Sequence, residues 1–253
     1  VKLSDLLDEL RNNILHDRSA QTGTPGDYLW SDNTLVRYIN EAQKRFARHA
    51  LVIRDASTPE VVNVTLKTGV ANYTLHPTIL SVISAKVSTA QVDLVRTGHW
   101  AMGTYEPPQT DIWDVNRLTT LAPGAPQAFT TDEELVTGDG NGRNTMTLRV
   151  IPVPDAAANG TIITMRVVRL PLDELTLTNQ TAEPEIPDDY HIPMLDWAAY
   201  LALRIVDHDA GDPDRAKEFA DAFEAHVKEA RAEVLRKLFA PQPWGFGKGG
   251  WRW

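Results

Sequence analysis

Pro59-Glu60-Val61-Val62-Asn63-Val64-Thr65-Leu66-Lys67-Thr68-Gly69 is the stretch on which the fold turns. Val62, Val64 and Leu66 fall on one side of a period of two, with Asn63, Thr65 and Lys67 on the other, and Gly69 marks a turn, so the segment reads as a half-buried strand. Upstream the period is different. Leu35, Ile39, Ala42 and Phe46 form one stripe at helical spacing, with Arg37, Glu41, Lys44, Arg45 and Arg48 largely off it. Ser31 or Asp32 can cap that helix, which is expected to run to about His49. The chain therefore passes from helix to sheet at Pro59.

Working outward, Leu3, Leu6, Leu7, Leu10 and Ile14 recur at helical spacing, with Ser4 or Asp5 as a cap, and predict a first helix. The segment Ser19 to Asp27, rich in Gly, Thr and Pro, separates it from the second. Past Gly69, β-type segments are expected at Asn72 to Leu75, Leu80 to Val87, Met146 to Ile151 and Thr161 to Val168. Pro152, Pro154, Asp155 and Asn159-Gly160 between the last two predict a hairpin. From Thr97 to Asn144 periodicity fails, and loops around one or two short strands are expected, ordered by a neighbouring subunit.

Helical spacing returns with Met194, Trp197, Ala198, Leu201 and Ile205, a helix from about Tyr190 to His208. Asp212-Pro213 then reads as an N-cap with proline at the first helical position. Ala216, Phe219, Ala220, Phe223, Val227, Ala230, Val234 and Leu238 trace the following helix to about Phe239, until Pro241 and Pro243 end it. The expected fold is α+β: a bundle of about four helices from both chain ends (1–58 and 188–240), an inserted antiparallel β-rich lobe (59–187) and an extended C-terminal arm (241–253).

Composition narrows the function. The 253 residues are 42% apolar and 23% charged, ordinary globular usage. With no cysteine there is no disulfide framework and no thiolate chemistry. No apolar run is long enough for a membrane helix, and the N-terminus opens an amphipathic pattern without a signal-peptide core, so the chain reads as soluble and unexported. A net charge of -9 argues against general affinity for DNA phosphates.

No catalytic or cofactor constellation emerges. Asp207-His208-Asp209-Ala210-Gly211-Asp212 resembles a calcium loop, but its glycine stands one place early and Pro213 follows too soon; a polar turn capping the next helix fits better. The histidines at 16, 49, 76, 99, 191, 208 and 226 show no paired ligand spacing. Gly138-Asp139-Gly140-Asn141-Gly142-Arg143 lacks the Lys-Ser/Thr of a phosphate loop and reads as a flexible turn. The expectation is a protein that is not an enzyme and holds no metal or cofactor.

The C-terminus carries the strongest binding signal. Three of the seven tryptophans lie in the last ten residues, among prolines and glycines that preclude a helix. Pro241, Pro243, Trp244, Phe246, Lys248, Trp251, Arg252 and Trp253 are the candidate binding residues: aromatic anchors that a lone chain would leave in water, plus two cations. Four rings burying about 200 Å² each would gain about 20 kcal/mol gross, and ordering thirteen residues costs a similar amount. One tail docks marginally; a ring of tails docks cooperatively. The alternative is that the tail folds back on its own domain.

Several motifs, taken in order, resemble one family. Leu29-Trp30-Ser31-Asp32, Leu35 and Tyr38-Ile39-Asn40-Glu41-Ala42-Gln43 resemble its early helix. Val64 to Gly69, Tyr73-Thr74-Leu75 and Leu80-Ser81-Val82-Ile83 resemble its opening strands. Gly124-Ala125-Pro126 before Phe129, then Leu148 to Asp155 with Gly160-Thr161, and finally Glu185-Ile186-Pro187-Asp188-Asp189-Tyr190-His191 complete the match from roughly Tyr28 to Phe239. By this resemblance the chain is similar to the head-to-tail adaptor, or head-completion, proteins of tailed bacteriophages, especially short-tailed ones. The resemblance implies a virion neck protein made in the bacterial cytoplasm, forming a twelve-membered ring below the portal protein. It also implies a C-terminal arm on the portal, a docking surface for the tail tube or nozzle protein, and a lumen through which DNA passes. A β-rich carbohydrate-binding or tail-spike accessory module, using Trp100 and Trp113 as sugar platforms, is the alternative.

Overall fold

The computed structural model describes residues 1–17, 28–89, 93–96, 122–132, 146–204 and 212–238. The chain divides into two compact units, Ile53–Leu172 and the flanking residues on either side, Val1–Val52 with Asp173–Trp253. Both helices and sheets are present, one sheet antiparallel and one mixed.

In the helical unit, α1 (Leu3–Asp8) passes directly into a π-helical stretch, Glu9–Ile14. The widened turn bonds Leu15 N–H to Leu10 O at 2.9 Å. Its extra residue shifts the apolar face by one, so Leu15 is buried and Ile14 only partly so, where a regular helix would bury Ile14. Neither Ser4 nor Asp5 caps α1. Lys2 occupies the cap position, and the N–H groups of Leu3 and Ser4 donate to the carbonyls of Ala182 and Gln180 at 2.9 and 3.1 Å. Those carbonyls satisfy the donors that a side-chain cap would otherwise take.

Helix α2 (Asp32–Ala50) takes Ser31 as its cap, the Ser31 hydroxyl accepting from Thr34 N–H at 3.3 Å. Leu35, Ile39, Ala42 and Phe46 are fully buried, as their spacing predicts, and Leu51 closes the helix in the left-handed region at φ 57°. Its partners are α4 (Leu195–Leu203) and α5 (Pro213–Leu238), which also pack on each other. A 3-10 turn over Asp188–Tyr190 precedes α4, so this helix begins later than its apolar pattern suggests; its expected end at His208 lies outside the described residues. Asp212 caps α5 as expected, its carboxylate accepting from Arg215 N–H at 3.1 Å. At 1.5 Å per residue α5 is about 39 Å long.

Around Pro59 the structure corrects the reading. Proline at the first helical position starts a single turn, α3 (Pro59–Val62), so Val62 is buried from a helix and the strand begins one residue later. Strands β1 (Arg54–Asp55), β2 (Asn63–Thr65), β4 (Ile79–Val87) and β8 (Ile162–Arg169) form the antiparallel sheet. Strand β8 is its axis, with β4 along one edge and β1 and β2 at the two ends of the other. Two register shifts in β4 space its buried residues Ile79, Val82 and Ala85 three apart instead of two. The second sheet runs β3 (Asn72–Thr74), β7 (Thr147–Ile151), β6 (Ala128–Asp132), β5 (Val95–Arg96), and its last pair is parallel. A wholly antiparallel lobe was expected. Parallel neighbours need a long connection to bring the chain back to the same end, and the run from Thr97 supplies one.

The expected hairpin between the last two strands does not form, because β7 and β8 belong to opposite sheets. Leu148 and Val150 of one and Ile163, Met165 and Val167 of the other enter the same core from two sides, together with Leu66, Tyr73, Val82 and Phe129. The connection is a bridge between layers. Asp155 stiffens it by accepting from the N–H groups of Ala157 and Ala158, both at 3.0 Å, and Gly160 turns it at φ 78°.

Candidate interaction surfaces

The helical unit centres on an aromatic cluster. Phe46 meets Tyr190 at 5.2 Å and Phe223 at 5.8 Å between ring centroids, and Trp197 meets Phe223 at 5.2 Å. The guanidinium of Arg45 lies 3.7 Å from the Trp197 ring centre. The Tyr190 hydroxyl donates to Glu233 on α5. Burial, and then the Glu233 carboxylate, push that phenol up to about 12, so it stays a donor at any physiological pH. Burial likewise raises the Asp196 carboxyl, while His226 at 3.6 Å favours its charged form.

Arg11 is a second organising centre, which the π-helical turn places in the interior at 6% exposure. Its guanidinium donates to Asp17 at 2.8 Å, to the Trp30 carbonyl at 3.0 Å and to Asp32, and lies 3.8 Å from the Tyr28 ring centre. Asp17 in turn accepts from Leu29 N–H at 2.9 Å. One cation thus ties the end of the first helix to the start of α2. Tyr28 and Leu29 remain exposed beside it.

A third feature is the segment that follows the sandwich. Asn40 on α2 binds Leu175 through both main-chain groups, its amide donating to the carbonyl and its oxygen accepting the N–H, each at 2.8 Å. Lys44 pairs with Glu174, whose hydrogen bond and charge hold that carboxyl below its usual range. These contacts place the segment from Asp173 with the helices, although the sequence pattern groups it with the β-rich lobe. Between it and α2 lies a cavity of about 270 Å³ lined by Asn33, Arg37, Asn40, Glu41, Lys44 and Leu177.

The sandwich has a comparable lock. Asp55, 5% exposed, accepts from Arg169 Nε at 2.7 Å and from the N–H groups of Ser57 and Thr58 at 2.8 and 3.0 Å. Burial raises its carboxyl, but the bonds from Thr58, Ser57 and Arg169 outweigh that and hold it well below the usual range. Along the edge of β4 away from β8, Leu94 N–H donates to the Ala85 carbonyl at 2.8 Å and Arg96 to the Val82 carbonyl at 3.2 Å. Among the described residues no group of three or more His, Asp or Glu side chains is placed to hold a metal ion, and no helix is long and apolar enough to cross a membrane.

All eight candidate tail residues, Pro241, Pro243, Trp244, Phe246, Lys248, Trp251, Arg252 and Trp253, lie outside the described residues, as do Trp100, Trp113 and the Gly138 to Arg143 loop. What the structure places nearby is the C-terminal end of α5, where Leu235, Arg236 and Lys237 are exposed. Arg11 and the Asp55–Arg169 pair carry no motif, and Asn40, though it lies in the motif from Tyr38 to Gln43, meets its partner Leu175 only through the fold.

The described residues form two compact units, each held by a buried polar clasp. The family model described as the SU10 adaptor protein matches residues 1–242, and the chain belongs to that family. The family is one of structural phage adaptors, not enzymes, which implies a place in the virion and a role among its portal and tail components. No curated protein matches the chain.

Proposed function

We propose that the protein is the head-to-tail adaptor of its phage, working as one of twelve copies in a ring beneath the portal protein. The ring offers the tail tube or nozzle protein its docking platform and encloses the channel through which DNA passes. Membership of the adaptor family across residues 1–242 carries this reading. Closed rings need two complementary faces on each subunit in fixed geometry, and a chain of two distinct units offers such faces. The net charge of -9 suits a channel that DNA crosses without adhering, so carboxylates are expected to outnumber cations on its wall.

In this reading the helical ends form one bundle, and the arm from Pro241 to Trp253 reaches the portal. Thirteen extended residues span at most about 43 to 47 Å. Trp244, Phe246, Trp251 and Trp253 fill apolar pockets, while Lys248 and Arg252 favour an acidic groove. Mass measurement of the complex reconstituted on portal rings tests the ratio, expected to be one adaptor per portal subunit; one to two, or no binding, refutes it. Deleting residues 241–253 is expected to leave the thermal midpoint unchanged and abolish portal binding. Unchanged affinity, or an unfolded truncation, refutes the arm.

A further inference from the structure

The sandwich turns one face of its antiparallel sheet to solvent, and the charge there is opposite in sign to that of the whole chain. Arg166 on β8 and Lys86 on β4 are exposed on this face, and among the described residues neither has an ion-pair partner. Alternation along β8 puts Ile162, 38% exposed, on the same side as Arg166. The second register shift in β4 leaves Ile83, which it inserts between Val82 and Ser84, 37% exposed. Asp93, set opposite Lys86 by an isolated bridge, puts one carboxylate on this side against the two cations.

The opposite sign is concentrated elsewhere in the chain. From Asp173 to Asp196 there are seven carboxylates and no lysine or arginine. Some are engaged internally, as Glu174 is by Lys44, and Asp188 approaches the His191 ring at 3.6 Å, yet Asp188 and Asp189 both lie at the surface, the Asp188 side chain at 83% exposure. Beside them Ile192 is 43% exposed. One surface therefore combines two cations that have no ion pair among the described residues with exposed isoleucines, and another combines two exposed carboxylates with an exposed isoleucine.

We propose that the basic sheet face docks on the Asp188–Ile192 corner of a second copy of this chain. Arg166 and Lys86 pair with Asp188 and Asp189, and Ile83, which lies beside Arg166, covers Ile192. The proposal rests on the ring reading and deepens it by naming the two unlike faces that a closing, heterologous contact requires. Nucleic acid suits the face less well. Two cations release few counterions, and exposed isoleucines gain nothing against a phosphate backbone.

Charge reversal on each side tests it with the full chain. The variants K86E/R166E and D188K/D189K change exposed side chains, and circular dichroism confirms that each folds; K86A/R166A serves if the first does not. Self-association is followed by sedimentation at low salt up to about 1 mM. Wild type is expected to associate, each double variant to do so about tenfold more weakly, and an equimolar mixture of the two to recover. Recovery follows because reversed face then meets reversed corner, and native face meets native corner.

Unchanged association of either variant, a mixture that does not recover, or a wild type that never associates overturns the proposal. So does a duplex DNA that binds wild type and is released by K86E/R166E. Variants that still join portal rings in the native ratio remove this contact but leave the adaptor reading standing. Recovery on mixing without any portal binding sustains the contact and refutes the position beneath the portal.

Discussion

Asp55→Ala tests how the sandwich is held together, because that carboxylate carries three loads at once. Its Oδ2 accepts from Arg169 Nε at 2.7 Å, and its Oδ1 accepts from Ser57 and Thr58 N–H at 2.8 and 3.0 Å. Removing it takes the carboxylate from a guanidinium that is 8% exposed and that keeps the Leu170 carbonyl at 3.0 Å among its other partners. Breaking one side of a buried pair costs about 3–5 kcal/mol. The two N–H groups lie near the surface, and each adds at most about 1 kcal/mol once water replaces the carboxylate. Urea unfolding followed by far-ultraviolet circular dichroism is expected to show a loss of about 3–7 kcal/mol for D55A, and less for D55N, which keeps one oxygen acceptor. Because the folded carboxyl lies below its unfolded value of 3.8, the unfolded chain binds the extra proton. The stabilisation is thus complete above about pH 4 and is lost as pH falls through the folded value. D55N should lose that acid-dependent component. A D55A protein within about 1 kcal/mol of wild type, with the same acid profile, would refute the reasoning.

Two further substitutions probe the helical unit. Asn40→Ala removes both hydrogen bonds to Leu175 and leaves a partly buried N–H and C=O without them, so a loss of about 1–3 kcal/mol is expected in the same unfolding assay; Asn40→Asp, which keeps the acceptor but not the donor, should fall between. Phe223→Ala empties the centre of the Phe46, Trp197 and Phe223 cluster and is expected to cost about 3–5 kcal/mol; a change below about 1 kcal/mol would mean the cluster repacks around the gap.

Helices were the most legible part of the chain. The stripe Leu35, Ile39, Ala42, Phe46 is fully buried as its spacing requires, and Asp212-Pro213 starts α5 where cap chemistry puts it. Periodicity failed where a local pattern has two readings. Leu10 and Ile14 look like one helical face, but nothing local announces the π-turn that buries Arg11 and Leu15 beside Leu10 and leaves Ile14 partly exposed. Turn residues between Ile151 and Ile162 announce a reversal of the chain without saying whether it stays in one sheet. That is decided by which strands fill the facing positions of the core, a non-local matter. Binding chemistry was less legible still, since Asn40 finds its partner 135 residues away and Asp55 finds Arg169 at 114. The aromatic tail, by contrast, is conspicuous as composition alone.

Strands β1 and β8, the first and last of the sandwich, are hydrogen-bonded to each other, with Arg54 opposite Val168 and Arg169 N–H on the Ile53 carbonyl at 3.1 Å. Antiparallel neighbours place their Cα atoms only about 5 Å apart, so the chain leaves this lobe almost where it came in. A lobe closed on itself in that way is an interchangeable cassette. Its two ends demand no more of the host than a short splice, and descendants of one ancestral scaffold can lengthen, trim or exchange the whole of residues 53–172 without rethreading the helices. Diversity among such proteins is then expected to concentrate in the cassette, and hybrids joined at Val52 and Asp173 are the natural way to graft one lineage's lobe onto another's frame.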